Sequence, residues 1–87
     1  SLREKHYKSK LIELLLINRL NQTNINSYIY NEIIALLISI NSVKVIPYIE
    51  NMLLTQNSVD NEIYLALKNN SSKNLTKLRK MMLEKFE

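Results

Sequence analysis

The chain contains no glycine, no cysteine and no tryptophan, and it has one proline (Pro47), one histidine (His6) and one phenylalanine (Phe86). Without glycine, hairpin turns and phosphate-cradling loops lose the residue that takes positive φ without steric cost, so a β-rich or Gly-loop nucleotide fold is excluded. Without cysteine there is neither a disulfide framework nor a thiolate metal site, which favours a reducing compartment. A single histidine leaves no His pair or His/Cys cluster at metal-ligand spacing, and no strand-elbow motif holds a nucleophile. Long apolar runs are missing too. The most apolar stretch, "LIELLLINRL", is broken by Glu13 and Arg19 and is too short to cross a bilayer. No small-residue cleavage site of a signal peptide is seen. A cytoplasmic or nuclear setting away from the membrane is therefore expected.

What is present is helical. The apolar share of 46% is that of a globular protein, and 87 residues suffice for a single helical domain, whole or as a segment of a longer protein. In "SYIYNEIIALLISI" the apolar positions 29, 33, 36, 37 and 40 follow helical spacing, and Tyr30, Ile34 and Ile38 add a second stripe. A helix apolar over most of its circumference must be buried on more than one side. Ser27, Ser42, Ser58 and Ser71 or Ser72 stand before apolar-periodic segments as N-caps. Each follows asparagine, which tolerates the left-handed conformation at helix ends. The predicted helices are 3–20, 28–40, 43–55, 59–69 and 72–86, joined by short links that favour antiparallel neighbours. Pro47 falls inside the third. Either that helix begins near Pro47 after a looser turn, or it bends there.

The chain repeats itself. "DNEIYLAL" at 60–67 echoes "YNEIIALL" at 30–37. A thirty-residue shift lays Asn31-Glu32-Ile33 on Asn61-Glu62-Ile63 and Leu37 on Leu67. It also lays Ser42, Val45, Met52 and Leu53 on Ser72, Leu75, Met82 and Leu83. With three more residues in the first loop, Ser9, Ile12, Leu15 and Leu20 fall on Ser42, Val45, Tyr48 and Leu53. Such a period built from helix pairs is the signature of an α-solenoid. Ile33, Leu37, Ile63 and Leu67 are expected to share one core with Ile49 and Leu53.

The run from Leu36 to Leu67 resembles the short form of the HEAT repeat. That family ends one helix with Ala-Leu-Gly-x-Ile-Gly, turns with Asp-Pro, and opens the next with a basic residue, a small residue and Ile-Pro. Leu37, Ile40, Ser42, Lys44, Val45, Ile46 and Pro47 occupy matching places; Ile38 and Asn41 stand where the family has glycines, and Val43 where it has the turn proline. The resemblance implies an all-α fold of five short helices, arranged as about two and a half HEAT-like helix pairs. That is a right-handed α-solenoid fragment or a compact helical bundle. Helices 28–40 and 59–69 would then line the inner face. The last helix, 72–86, would lack its partner, so that Leu75, Leu78, Met82, Leu83 and Phe86 close over the neighbouring pair or seek another chain.

Candidate chemistry is sparse. His6 reads as a bystander in a basic terminus, and the serines are accounted for by capping. Glu32 and Glu62, one per repeat, read as recognition or solubility residues rather than a catalytic pair. Charge is uneven: residues 1–10 are basic, the centre is mildly acidic, and Lys68, Lys73, Lys77, Arg79, Lys80 and Lys85 make the C-terminal part basic within a net charge of +4. The sequence therefore predicts a non-catalytic scaffold without cofactor or metal that binds another protein. Asn31, Glu32, Asn61, Glu62, Leu78, Met82 and Phe86 are the candidate contacts. Leu11, Leu14, Leu15 and Leu16 spread too widely round the first helix for one contact face, and a homodimer is one outcome. The alternative is a small basic domain that binds nucleic acid through Lys73, Lys77, Arg79 and Lys80.

Overall fold

A computed structural model describes residues 2–22 and 24–86, with side chains from Lys8 onward. The described residues form five α-helices and two 3₁₀ turns, with no strand: α1 (Leu2–Leu20), α2 (Ser27–Ser39), α3 (Ile46–Thr55), α4 (Asn61–Lys68) and α5 (Thr76–Phe86). The 3₁₀ turns, Val43–Val45 and Lys73–Leu75, lead into α3 and α5. They lie thirty residues apart, and each is capped by the serine before it: Ser42 accepts from the Lys44 N–H, Ser72 from that of Asn74.

Pro47 explains the first of these turns. A proline further inside the helix would lose its bond to the carbonyl four residues back. Here α3 starts at Ile46, so Pro47 stands in the first turn where N–H groups have no helical partner anyway. Two expected caps shift. Asn26, not Ser27, accepts from the Ile29 N–H at the start of α2, and Asp60, not Ser58, accepts from the Glu62 N–H at the start of α4. At the other end of α2, Asn41 takes φ of 62°, the left-handed conformation expected of asparagine here. Its N–H then bonds the Ile38 carbonyl and that of Ser42 the Leu37 carbonyl, the paired pattern of a Schellman stop.

The helices stack in two layers. Helix α2 lies along α4 and α3 along α5. The C-terminal ends of each pair meet, so the paired helices run in the same sense. Asn70, just past α4, donates to the Ile38 carbonyl and to Asn41 Oδ1 past α2, while Lys85 in α5 donates to the Leu53 and Gln56 carbonyls at the end of α3. The extents of 41 × 32 × 18 Å leave room for only two layers of helix.

One core unites them. Ile33, Leu37, Ile49, Leu53, Ile63 and Leu67 are buried together, as the repeat requires, and Ile34, Ile38, Val45, Met52, Leu75, Leu78 and Met82 complete the cluster with Leu20. The repeat partners Leu37/Leu67, Val45/Leu75 and Met52/Met82 are all buried, so the shift holds at the level of packing for α2–α5.

For α1 it holds only at Leu20, buried like its counterpart Leu53. Ile12 and Leu15, laid by the sequence on buried Val45 and half-buried Tyr48, are 48% and 60% exposed. The core-facing side of α1 is instead Leu16, Ile17 and Leu20, which meet α2. Of the two outcomes expected for α5, closure over the neighbouring helices is the one seen. Leu78 and Met82 are fully covered within the chain, and Met81, Leu83 and Phe86 are half-buried against the core. The apolar stripe of α5 therefore closes over its neighbours.

Candidate interaction surface

Helix α1 carries apolar side chains nearly all round, but a helix on one edge of a two-layer slab can bury only one side. Residues 16, 17 and 20 take that side. Leu11, Ile12, Leu14 and Leu15 are left 47%, 48%, 53% and 60% exposed. Their combined apolar surface is on the order of 400 Å², within the ~300–600 Å² at which the largest patch on a monomer is often functional. Lys8 and Lys10 stand exposed at one end of this patch, and at the other the exposed Arg19 donates to the side-chain oxygen of Gln22.

Glu13, on the flank nearer the core, pairs with Lys44 at 3.7 Å and ties α1 to the turn before α3. A second tie is the Tyr48 hydroxyl, which donates to Asn21 Oδ1 at 3.2 Å. On the N-terminal side of these ties an open groove of about 450 Å³ is bordered by Ser9, Lys10 and Glu13 of α1 and by Ile40, Val43 and Lys44. Among the described residues no buried side-chain nitrogen or oxygen lacks a partner, so nothing polar is held in waiting for a ligand.

A second open surface is the outward side of α2 and α4. Glu32 and Glu62 hold equivalent positions and are exposed, as is Asn61, while Asn31 is half-buried. Around them Tyr28, Leu36 and Leu65 are 69%, 47% and 45% exposed. The structure thus brings four of the expected contacts to one face. It does not bring Leu78, Met82 and Phe86 there. The first two are core residues, and Phe86 packs against the core with the Lys85 ammonium 5.4 Å from its ring centre. The docking role expected of Leu78 and Met82 is incompatible with that burial.

The basic residues on and just before α5 divide into two groups. Lys73, Lys77 and Lys80 are exposed. Arg79 is half-buried and donates to the Asn70 carbonyl and, at 3.3 Å, to Thr76 Oγ1, and Lys85 holds the carbonyls that end α3. Cations at helix C-termini satisfy free carbonyls and oppose the negative end of the helix dipole, which is a structural task. Sequence reasoning missed these clamps because long side chains reach across loops with no local spacing to announce them.

Tyr30 borders a shallow cleft with Pro47, Tyr48 and Asn51, and burial, with a smaller contribution from Tyr48, pushes its phenol above the ordinary tyrosine value. The side chain of His6 lies outside the described residues. Among the described residues no group of three or more His, Cys, Asp or Glu could hold a metal ion, and no helix is long and apolar enough to cross a membrane. Comparison of the chain with family models, with curated proteins and with solved structures finds no match.

Proposed function

We propose that the chain is a non-catalytic helical adaptor that binds another protein, with the outer face of α1 as its principal docking surface. The observation that carries this reading is the disposition of leucines on α1. The core of α2–α5 is closed with leucines and isoleucines at 0–6% exposure, whereas four apolar residues within little more than one turn of α1 remain about half in water. Leaving ~400 Å² of apolar surface wet disfavours the isolated chain, and a partner removes that penalty. The resemblance to HEAT repeats points the same way, because stacked helix pairs present extended binding faces. A cytoplasmic or nuclear setting accompanies this reading.

A photoreactive amino acid tests it. Placed at position 14, it should form one discrete adduct with a partner in extract of the native source. Placed at position 54, where Leu54 is more exposed at 78% but stands alone, it should give none. Equal labelling at both positions, or no adduct at 14, overturns the proposal.

A second reading rests on Lys73, Lys77 and Lys80, which stay exposed on and before α5. They could meet a phosphate backbone. Binding of that kind weakens steeply with salt, with a log–log slope of about −0.7 to −0.9 per phosphate contacted. Arg79 and Lys85 do not join them, since both are spent on carbonyls.

A further inference from the structure

We infer that the partner of the α1 face is a second copy of this chain, and that the surface receiving it is the outward side of α2 and α4. The inference rests on the reading of α1 as a docking face and adds the identity of what docks.

Charge selects the pairing. The α1 patch is flanked by the exposed cations Lys8 and Lys10, and its one carboxylate, Glu13, is already paired with Lys44. The α2–α4 surface carries exposed Glu32, Asp60 and Glu62 beside apolar Tyr28, Leu36 and Leu65. Joining two α1 faces would set cation against cation. Joining α1 to the α2–α4 surface sets cation against carboxylate and leucine against leucine, and complementary potentials of this kind fix orientation as well as attraction. The same asymmetry is written along the chain, whose first ten residues are basic and whose centre is acidic.

Area selects the geometry. One contact of this kind covers roughly 400 Å² of apolar surface on α1 and ~300 Å² on α2 and α4, well short of the ~1,600 Å² total of a standard stable interface. Each copy, however, carries both faces. Helix α1 packs beside α2, so the two faces are neighbours on one chain. A two-fold arrangement makes both contacts at once, brings the apolar total to ~1,400 Å² before any polar rim, and closes the assembly against running on as a filament.

Sedimentation equilibrium from 1 to 100 μM, run at low and at high salt, tests the inference. The expected result is a monomer–dimer equilibrium whose Kd rises at least about tenfold from low to high salt, because exposed charge pairs are screened. Lys8→Glu/Lys10→Glu in one variant and Glu32→Lys/Glu62→Lys in another should each be monomeric and folded by circular dichroism. Mixing the two should restore a heterodimer, which a non-specific loss of structure could not do. A monomer at 100 μM, or a dimer that ignores both charge reversals, overturns the inference. A monomer that still gives the position-14 adduct with a different protein overturns self-docking while leaving the adaptor reading intact; a monomer without that adduct overturns both.

Discussion

Leu37 lies at the centre of α2 with no exposed surface, and its neighbour Leu36 is 47% exposed on the same helix. Truncating each to alanine separates burial from everything else the two positions share. Leu37→Ala removes three carbons from the core, worth ~2–2.5 kcal/mol of transfer free energy at about 0.8 kcal/mol per buried carbon. If the walls do not relax, the vacated ~80 Å³ adds about 2 kcal/mol more at ~24 cal/mol per Å³. The expected loss is therefore ~2–4.5 kcal/mol. Set against a total of ~4–13 kcal/mol for a chain of 87 residues, it leaves a barely stable protein. Leu36→Ala loses about half the transfer term, leaves no cavity, and gains slightly in helix propensity, for a net loss of ~1 kcal/mol or less. Urea unfolding followed by helical circular dichroism reads both, provided the slope is unchanged. Leu67→Ala, the repeat partner of Leu37, should behave like Leu37→Ala. Equal losses for Leu36→Ala and Leu37→Ala would refute the assignment of α2's buried side.

Lys85→Met removes the donor that holds the Leu53 and Gln56 carbonyls, and Arg79→Met the one that holds Asn70; each should lower stability by ~1–2 kcal/mol in urea titration. Asn70→Ala severs the links to the Ile38 carbonyl and Asn41 Oδ1 between the α2 and α4 ends, and should lose ~1–3 kcal/mol while leaving helix content unchanged by circular dichroism. Asn41→Ala, forced to hold φ of 62°, should lose ~1–2 kcal/mol, and Asn41→Gly less, since glycine relieves the backbone but not the lost bond to Asn70. Burial raises the Tyr30 phenol, so the unfolded chain ionises first as pH rises: the stabilisation is complete below the ordinary tyrosine value near 10 and is lost as pH climbs through the folded value. Tyr30→Phe should remove that alkaline loss, read as urea midpoints between pH 8 and 11.

The periodic, buried parts of the fold were legible in the sequence. Ile33, Leu37, Ile63 and Leu67 sit where the thirty-residue echo put them, because a helix apolar on several sides has no stable place outside a core. Ser42 and Ser72 cap as expected, but Asn26 and Asp60 displace Ser27 and Ser58. Asparagine and aspartate cap as well as serine, so composition alone could not choose between neighbours. The orientation of α1 was illegible for the opposite reason. With leucine or isoleucine at 11, 12, 14, 15, 16 and 17, every face is apolar, and only the tertiary contact with α2 decides which is buried. The Leu78/Met82 stripe misled because a core stripe and a docking stripe have the same spacing. Glu32 and Glu62 are exposed at equivalent positions, because a carboxylate repeated on otherwise apolar helices marks the sides left to water.

The central claim is that the apolar face of α1 is surplus to the chain's own core. Replacing Leu11, Leu14 and Leu15 together by glutamine tests it most directly, because leucine and glutamine have similar helix propensity and the change is confined to that face. The measurement is urea unfolding of the triple variant and the natural chain at sub-micromolar concentration, where association cannot contribute. The account predicts a loss of ~3 kcal/mol or less in all, since each half-wet leucine lends the monomer no more than the ~1 kcal/mol expected at the equally exposed Leu36. A variant destabilised by ~6 kcal/mol or more, the sum for three buried leucines, would show that α1 completes the core and that no docking face exists there.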